Sequence, residues 1–190
     1  MIVFVCGTNG SGKTSVVKHL LGDNYEVEMY DGYKITRGNG YVAFGPYYPD
    51  KKMGGGDCNS CGGSMTNNLK RFIVDFKGED CLIEGLLLPN KINIVRFREV
   101  QGTSVVPICL HTDLETLLNR LEVRNGFRKE YKNGAENIAG KNRQVVRLHR
   151  YCVEEHSELP AKLIDTTGIT VEDTLAQIDA HLEEVVNVQN

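Results

Sequence analysis

A chain of 190 residues that is 41% hydrophobic and 25% charged can fill the core of one α/β domain, and this composition excludes a disordered or fibrous protein. No apolar run reaches membrane-spanning length, so no membrane partner is expected. The net charge of −3 is uneven: residues 151–190 hold nine acidic side chains and one lysine, net −8, which leaves +5 on residues 1–150. That balance suits phosphate-bearing ligands without requiring nucleic acid.

Ile2 to Cys6 is a short apolar, mostly β-branched run and predicts a buried strand. It leads into Gly7-Thr8-Asn9-Gly10-Ser11-Gly12-Lys13-Thr14, which fits G-x-x-x-x-G-K-[ST], the phosphate-cradling loop. The chemistry requires these residue types. Glycines let successive N–H groups converge on phosphate oxygens, and a helix starting near Lys13 adds the positive end of its dipole. Lys13 can reach the β- and γ-phosphates, and the Thr14 hydroxyl can ligate Mg²⁺. The loop follows a predicted strand and opens a predicted helix, Thr14 to Leu21, which is the context the motif needs. A nucleoside triphosphate, ATP with Mg²⁺, is therefore the expected ligand of Gly7 to Thr14, with Ser15 beside them. Met1 leads directly into the first strand, so no signal peptide is expected, and with an ATP site the expected compartment is the cytoplasm.

Tyr25 to Tyr30 alternates and predicts a second strand, ending at the turn signal Asp31-Gly32. The stretch from Gly32 to Gly63 is glycine-rich, holds Pro46 and Pro49, and lacks a helical period, so it reads as a long insert of residues 32–63 with a functional role, acceptor binding. Its Tyr33, Tyr41, Phe44, Tyr47 and Tyr48 are interleaved with Lys34, Arg37, Lys51 and Lys52. Such a mixture either stacks bases beside phosphates or packs the insert onto the domain. Cys58 and Cys61 form a lone C-x-x-C that lacks a second pair at zinc spacing and reads as part of a loop, whereas Cys6, Cys81 and Cys109 fall in predicted strands as small buried side chains.

Further along, helices are predicted at Ser64 to Phe76, Lys91 to Val100, Asp113 to Asn125, Ala135 to Glu155 and Thr170 to Val186. Strands are predicted at Cys81 to Leu88, Ser104 to His111 and Ala161 to Asp165. Pro107 is a mild objection to a central place for its strand. The alternation implies a single α/β domain over residues 1–190, with a five-stranded parallel sheet, helices on both faces, and ligands at the carboxyl ends of the strands.

Phosphoryl transfer needs a carboxylate to orient or deprotonate the attacking hydroxyl and cations to neutralise the transferred group. Glu84 closes an apolar strand, where it can meet the Mg²⁺ shell or the acceptor. Asp57 follows three glycines, and Asp31 ends the second strand; both are further candidates for the base. Each also has a plain reading, as a solvated strand end or an ordinary turn aspartate. Arg120, Arg124 and Arg128 recur every four residues and lead into a basic loop. They read either as a solvated face or as a lid over residues 124–136 that closes on the phosphates.

GTNGSGKT, the strand ending in Glu84, ICLHTDLETLLNRLEVR and LIDTTG together resemble the adenylate-kinase-like branch of P-loop kinases over nearly the whole chain. The resemblance implies the P-loop NTPase fold, ATP-dependent transfer to a hydroxyl, and an adenine site near Asp165 to Gly168. The insert departs from the monophosphate kinases. GGGDCN with LIEGLLL is similar to small bacteriophage P-loop kinases, including the 5-hydroxymethyluracil DNA kinases. That similarity implies DNA containing a modified pyrimidine as acceptor, inside an infected bacterial host. The competing expectations are a kinase of a free nucleoside or nucleotide and a P-loop ATPase or switch with no phosphorylated acceptor.

Overall fold

Ile2–Gly7 forms strand β1 and is buried along its entire length, as an uninterrupted apolar run must be when both faces of a sheet are covered. The computed structural model describes residues 1–50, 54–56, 65–85, 93–94, 97–99, 102, 104–125 and 134–189. For residues 124, 125 and 189 only the backbone is described. Asp57, Cys58, Cys61, Arg128 and the side chain of Arg124 lie outside the described residues.

The other strands are β2 (Tyr25–Tyr30), β3 (Tyr33–Gly38), β4 (Tyr41–Phe44), β5 (Asp80–Gly85), β6 (Val105–His111) and β7 (Lys162–Asp165). The helices are α1 (Lys13–Leu21), α2 (Met65–Asp75), α3 (Leu114–Asn125), α4 (Gly134–Glu155) and α5 (Val171–Gln189). Residues 93–94 and 97–99 are also helical.

One sheet of seven strands runs in the order β2-β3-β4-β5-β1-β6-β7. This corrects the expectation of five strands. β4, β5, β1, β6 and β7 pair in parallel, while β3 is antiparallel to both β2 and β4. The extra strands are β3 and β4, which occupy the first part of the insert. Two-residue turns make them possible: Asp31 and Gly32 have φ of 42° and 87°, and Asn39 and Gly40 have φ of 46° and 79°. Positive φ at both central positions is the tight hairpin geometry whose twist matches the flanking strands. β2, expected within the parallel layer, is instead the outermost strand. Pro107 sits in β6, paired with Phe4 of β1, but β7 pairs only from Ile108 onward. At Pro107 the strand has a single neighbour, so a missing N–H is tolerated there.

Each face of the sheet carries its own core. On one side α1 (Val16, Val17, Leu20, Leu21) and α5 (Ile178, Leu182, Val185) cover Val3, Val5, Leu82 and Ile108. On the other, α2 (Leu69, Phe72, Ile73) and α4 (Val145, Leu148, Cys152) cover Phe4, Cys6, Ile83 and Cys109. Among the described residues no helix is long and apolar enough to cross a membrane.

Cys6, Cys81 and Cys109 are buried, as expected. Burial pushes the Cys81 thiol up to about 12, and a hydrogen bond with Cys6, together with burial, pushes Cys109 up too. Neither is a nucleophile.

The insert's aromatic residues divide by depth. Tyr33, Phe44 and Tyr47 have no exposed surface. Tyr33 and Phe44 stack into a cluster with Phe72, and the Tyr33 hydroxyl donates to Asp75 at 3.1 Å. For these residues packing, not base stacking, is the outcome.

Buried Thr36 fixes where the chain goes after β4. Its hydroxyl donates to the Gly45 carbonyl at 2.8 Å and accepts from the Tyr47 N–H at 3.0 Å. Thr36→Val keeps the shape and leaves both backbone groups without this partner. Urea unfolding is expected to show a loss of about 1–3 kcal/mol at unchanged m-value.

Candidate active site

The loop from Gly7 to Thr14 joins the end of β1 to α1 at the carboxyl edge of the sheet, and its sequence sets its shape. A Cβ at Gly7 would stand 2.2 Å from the Ser11 hydroxyl oxygen, and Gly10 and Gly12 have φ of 85° and 96°. Gly12 is the N-cap of α1 and brings no side-chain cap. The N–H groups of the helix start are therefore left for an anion, at the end where the helix dipole favours negative charge. Ser11 N–H donates to the Thr8 carbonyl at 3.2 Å, and the Lys13 ammonium donates to the same oxygen at 3.0 Å. The hydroxyls of Thr8 and Ser11 are buried and have no hydrogen-bond partner among the described residues. Asn9 and Ser15, expected to bind the nucleotide, are exposed at the loop tip and in the first turn of α1.

Glu84 comes from the neighbouring strand. The parallel register sets Glu84 of β5 beside Val5 of β1, two residues before the loop. Its residue is 5% exposed, and its Oε1 accepts from the Thr14 hydroxyl at 3.3 Å. The structure thus brings Thr14 and Glu84 together, with Lys13 on the Thr8 carbonyl of the same loop. Hydroxyl and carboxylate oxygens are hard donors that suit Mg²⁺, which is ordinarily held by one or two carboxylates together with substrate phosphates.

Arg120 of α3 reaches the loop from the opposite side. Its guanidinium donates to the Gly10 carbonyl at 3.4 Å and to the Thr166 hydroxyl and carbonyl at 3.2 and 2.8 Å. The hydroxyls of Thr112 and Thr166 lie 2.6 Å apart, and the Asp113 N–H donates to the Thr167 hydroxyl at 2.9 Å. The Asp165 to Gly168 segment is thereby tied to α3 and, through Arg120, to the phosphate loop. Burial works to raise the Asp165 carboxyl, but hydrogen bonds from Thr167 and the nearby His111 imidazole hold it below its ordinary value. Thr166 falls in the Asp165 to Gly168 segment expected near adenine, whereas Thr112 carries no signal in sequence, because a threonine after an apolar strand follows no spacing rule.

Asp31 is not brought to this group. It lies in the β2–β3 turn, exposed and ion-paired with Arg71 of α2, and its strand stands three places from β5 in the sheet. Gly55, by contrast, returns to Glu84: a Cβ there would stand 2.3 Å from Glu84 Oε1.

Neither a protein-family model nor a curated protein matches the chain. Solved structures do. The structure of deoxyadenosine kinase from M. mycoides with bound dCTP is similar at a TM-score of 0.50 and 15% identity, covering 97% of this chain and 100% of that one. An uncharacterized protein from Eubacterium ventriosum is similar at a TM-score of 0.50 and 14% identity, covering 97% and 98%. The chain has the P-loop NTPase fold. At these identities the likeness speaks for the fold alone.

The start of α3 offers a test of the local chemistry. The Asp113 carboxylate accepts from the Thr116 hydroxyl at 2.6 Å and the Thr116 N–H at 2.9 Å, and these bonds hold its carboxyl below its ordinary value. A carboxyl lowered in the folded state stabilises above its unfolded-state pKa and stops doing so as pH falls through the folded value. The gap in melting temperature between wild type and Asp113→Ala is therefore expected to narrow on acidification from about pH 6 to about pH 3.

Proposed function

We propose that the protein is an ATP-dependent kinase that transfers the γ-phosphoryl group to a hydroxyl of a free nucleoside or nucleotide. The observation that carries this is the 3.3 Å contact between Thr14 Oγ1 and Glu84 Oε1 at the mouth of a glycine-built phosphate loop. It supports a site in which a metal-binding hydroxyl and a potential base lie side by side. The fold shared with a deoxyadenosine kinase supports a nucleoside-type acceptor.

Each residue has a task in this reading. Backbone N–H groups of Gly7 to Lys13 bind phosphate oxygens, and Lys13 leaves the Thr8 carbonyl to neutralise the β- and γ-phosphates. Thr14 and Glu84 would hold Mg²⁺, which would neutralise the charge that develops on the phosphates during transfer. Glu84 also orients the acceptor hydroxyl and takes up its proton, with Asp57, next in sequence after Gly56, as the second carboxylate for that role. Arg120 steadies the loop, while Arg124 and Arg128 belong to a lid over about residues 124–136 that closes on the transferred group. Residues 32–63 form the acceptor side, with Gly55 already beside Glu84.

The acceptor in modified DNA finds no support in the structural likenesses, and Tyr33, Phe44 and Tyr47 are withdrawn into the core. The deciding experiment incubates the protein with γ-labelled ATP, Mg²⁺ and a panel of nucleosides, nucleotides and hydroxymethyluracil DNA. Label on a free nucleoside or nucleotide is expected. Label on DNA alone, or hydrolysis with no labelled acceptor, would overturn the reading.

Two variants separate binding from transfer. Lys13→Ala is expected to weaken Mg·ATP binding by roughly 10- to 100-fold in calorimetry, the size of a lost charge-assisted hydrogen bond. Glu84→Gln is expected to bind ATP and to lower kcat by about 10²-fold or more.

A further inference from the structure

The chain places three consecutive glycines, Gly54 to Gly56, between the paired strands β4 and β5. Their surroundings explain them. The Gly55 N–H donates to the Pro46 carbonyl at 3.1 Å, which docks this segment on the turn after β4. Gly55 has φ of 100°, and a Cβ there would meet Oε1 of Glu84 at 2.3 Å and its Cδ and Cγ at 2.8 Å. Retreat is blocked from behind. A Cβ at Gly45 would lie 2.3 Å from the carbonyl carbon of Gly55, and a Cβ at Gly54 would lie 2.6 Å from the Pro46 carbonyl oxygen. Backbone thus packs on backbone, and the whole stack leans on one carboxylate.

That carboxylate is the one whose Oε1 accepts from Thr14. The stack is anchored at its far end by Thr36, which binds Gly45 and Tyr47. Lys18 of α1 holds it as well, donating to the Tyr48 and Pro49 carbonyls.

We infer that Gly55 is a positioning residue: its side-chain-free backbone is the seat that holds the Glu84 carboxylate against Thr14. The inference rests on the reading of Glu84 as the carboxylate that serves transfer. A methyl group at Gly55 meets the movable end of Glu84, and the Gly55 backbone behind it is packed closely on Gly45, so the carboxylate is what gives way. Thr14 then loses its partner, and the acceptor side loses its register with the phosphate loop.

The test is a double-mutant cycle of Gly55→Ala, Glu84→Asp and the pair, with Gly78→Ala as control. Gly78 has φ of 92° and no atom within 4 Å of its Cβ position, so it reports left-handed strain without the clash. Gly55→Ala is expected to lower kcat on the order of 10²-fold, the scale of a 1 Å misplacement, with KM for ATP little changed. Shortening the carboxylate by one methylene makes room for the methyl group. The pair is therefore expected to be no slower than Glu84→Asp alone and to melt higher than Gly55→Ala. Losses that multiply across the pair, or a Gly55→Ala effect no larger than that of Gly78→Ala, would overturn the inference. If Gly55→Ala does not fold, recovery of folding in the pair supports the seat, and failure to recover refutes it. The melting cycle decides the matter even if wild type phosphorylates no acceptor, an outcome that would remove the kinase reading alone.

Discussion

The contact between Thr14 and Glu84 is the constraint around which the sheet is built. A hydroxyl in the first turn of α1 and a carboxylate at the end of β5 come within 3.3 Å only because β1 and β5 pair in parallel with Val5 beside Glu84. A slip of one residue would turn Glu84 to the other face, toward α2 and α4. The register is held by apolar contact on both faces, Val3, Val5 and Leu82 on one and Phe4, Cys6 and Ile83 on the other. A nearly buried carboxylate is tolerated where a polar group meets it, and its Oε1 accepts from the Thr14 hydroxyl.

The two halves of the molecule approach this carboxylate from different directions. One half arrives through the glycine loop and α1, steadied by Arg120. The other half, to which we assign the acceptor, arrives through β3, β4 and the turn organised by Thr36, ending with Gly55 on the carboxylate itself. Lys18 joins them, since it belongs to α1 and holds Tyr48 and Pro49. Asp31, at the same edge but on the outermost hairpin, belongs to neither approach and serves α2 through Arg71.

Much of this was legible in the residues because long apolar runs leave few choices. Ile2 to Cys6 and Cys81 to Glu84 could only be buried strands, and a G-x-x-x-x-G-K-T loop between strand and helix has one established use. The insert was misread because its glycines masked the alternation of Tyr33 to Gly38 and Tyr41 to Phe44. Asn39-Gly40, between them, is a strong hairpin signal. Depth was hidden as well. Tyr33, Phe44 and Tyr47 resemble a stacking surface by composition, but only strand pairing shows which face each one takes. The seat of Glu84 on Gly55 could not be read, because it joins positions far apart in sequence without any spacing rule.

The two tight turns that bound β3 also imply an order of assembly. β2, β3 and β4 follow one another with only two residues between them, so their contacts close short loops, whereas β1 must wait for segments some eighty and one hundred residues downstream. Short loops close with less loss of chain entropy and at greater speed. The meander is thus the piece able to order earliest. Through β4 it offers β5 an already formed edge, which lets the slower parallel layer zip from one side rather than collapse from many.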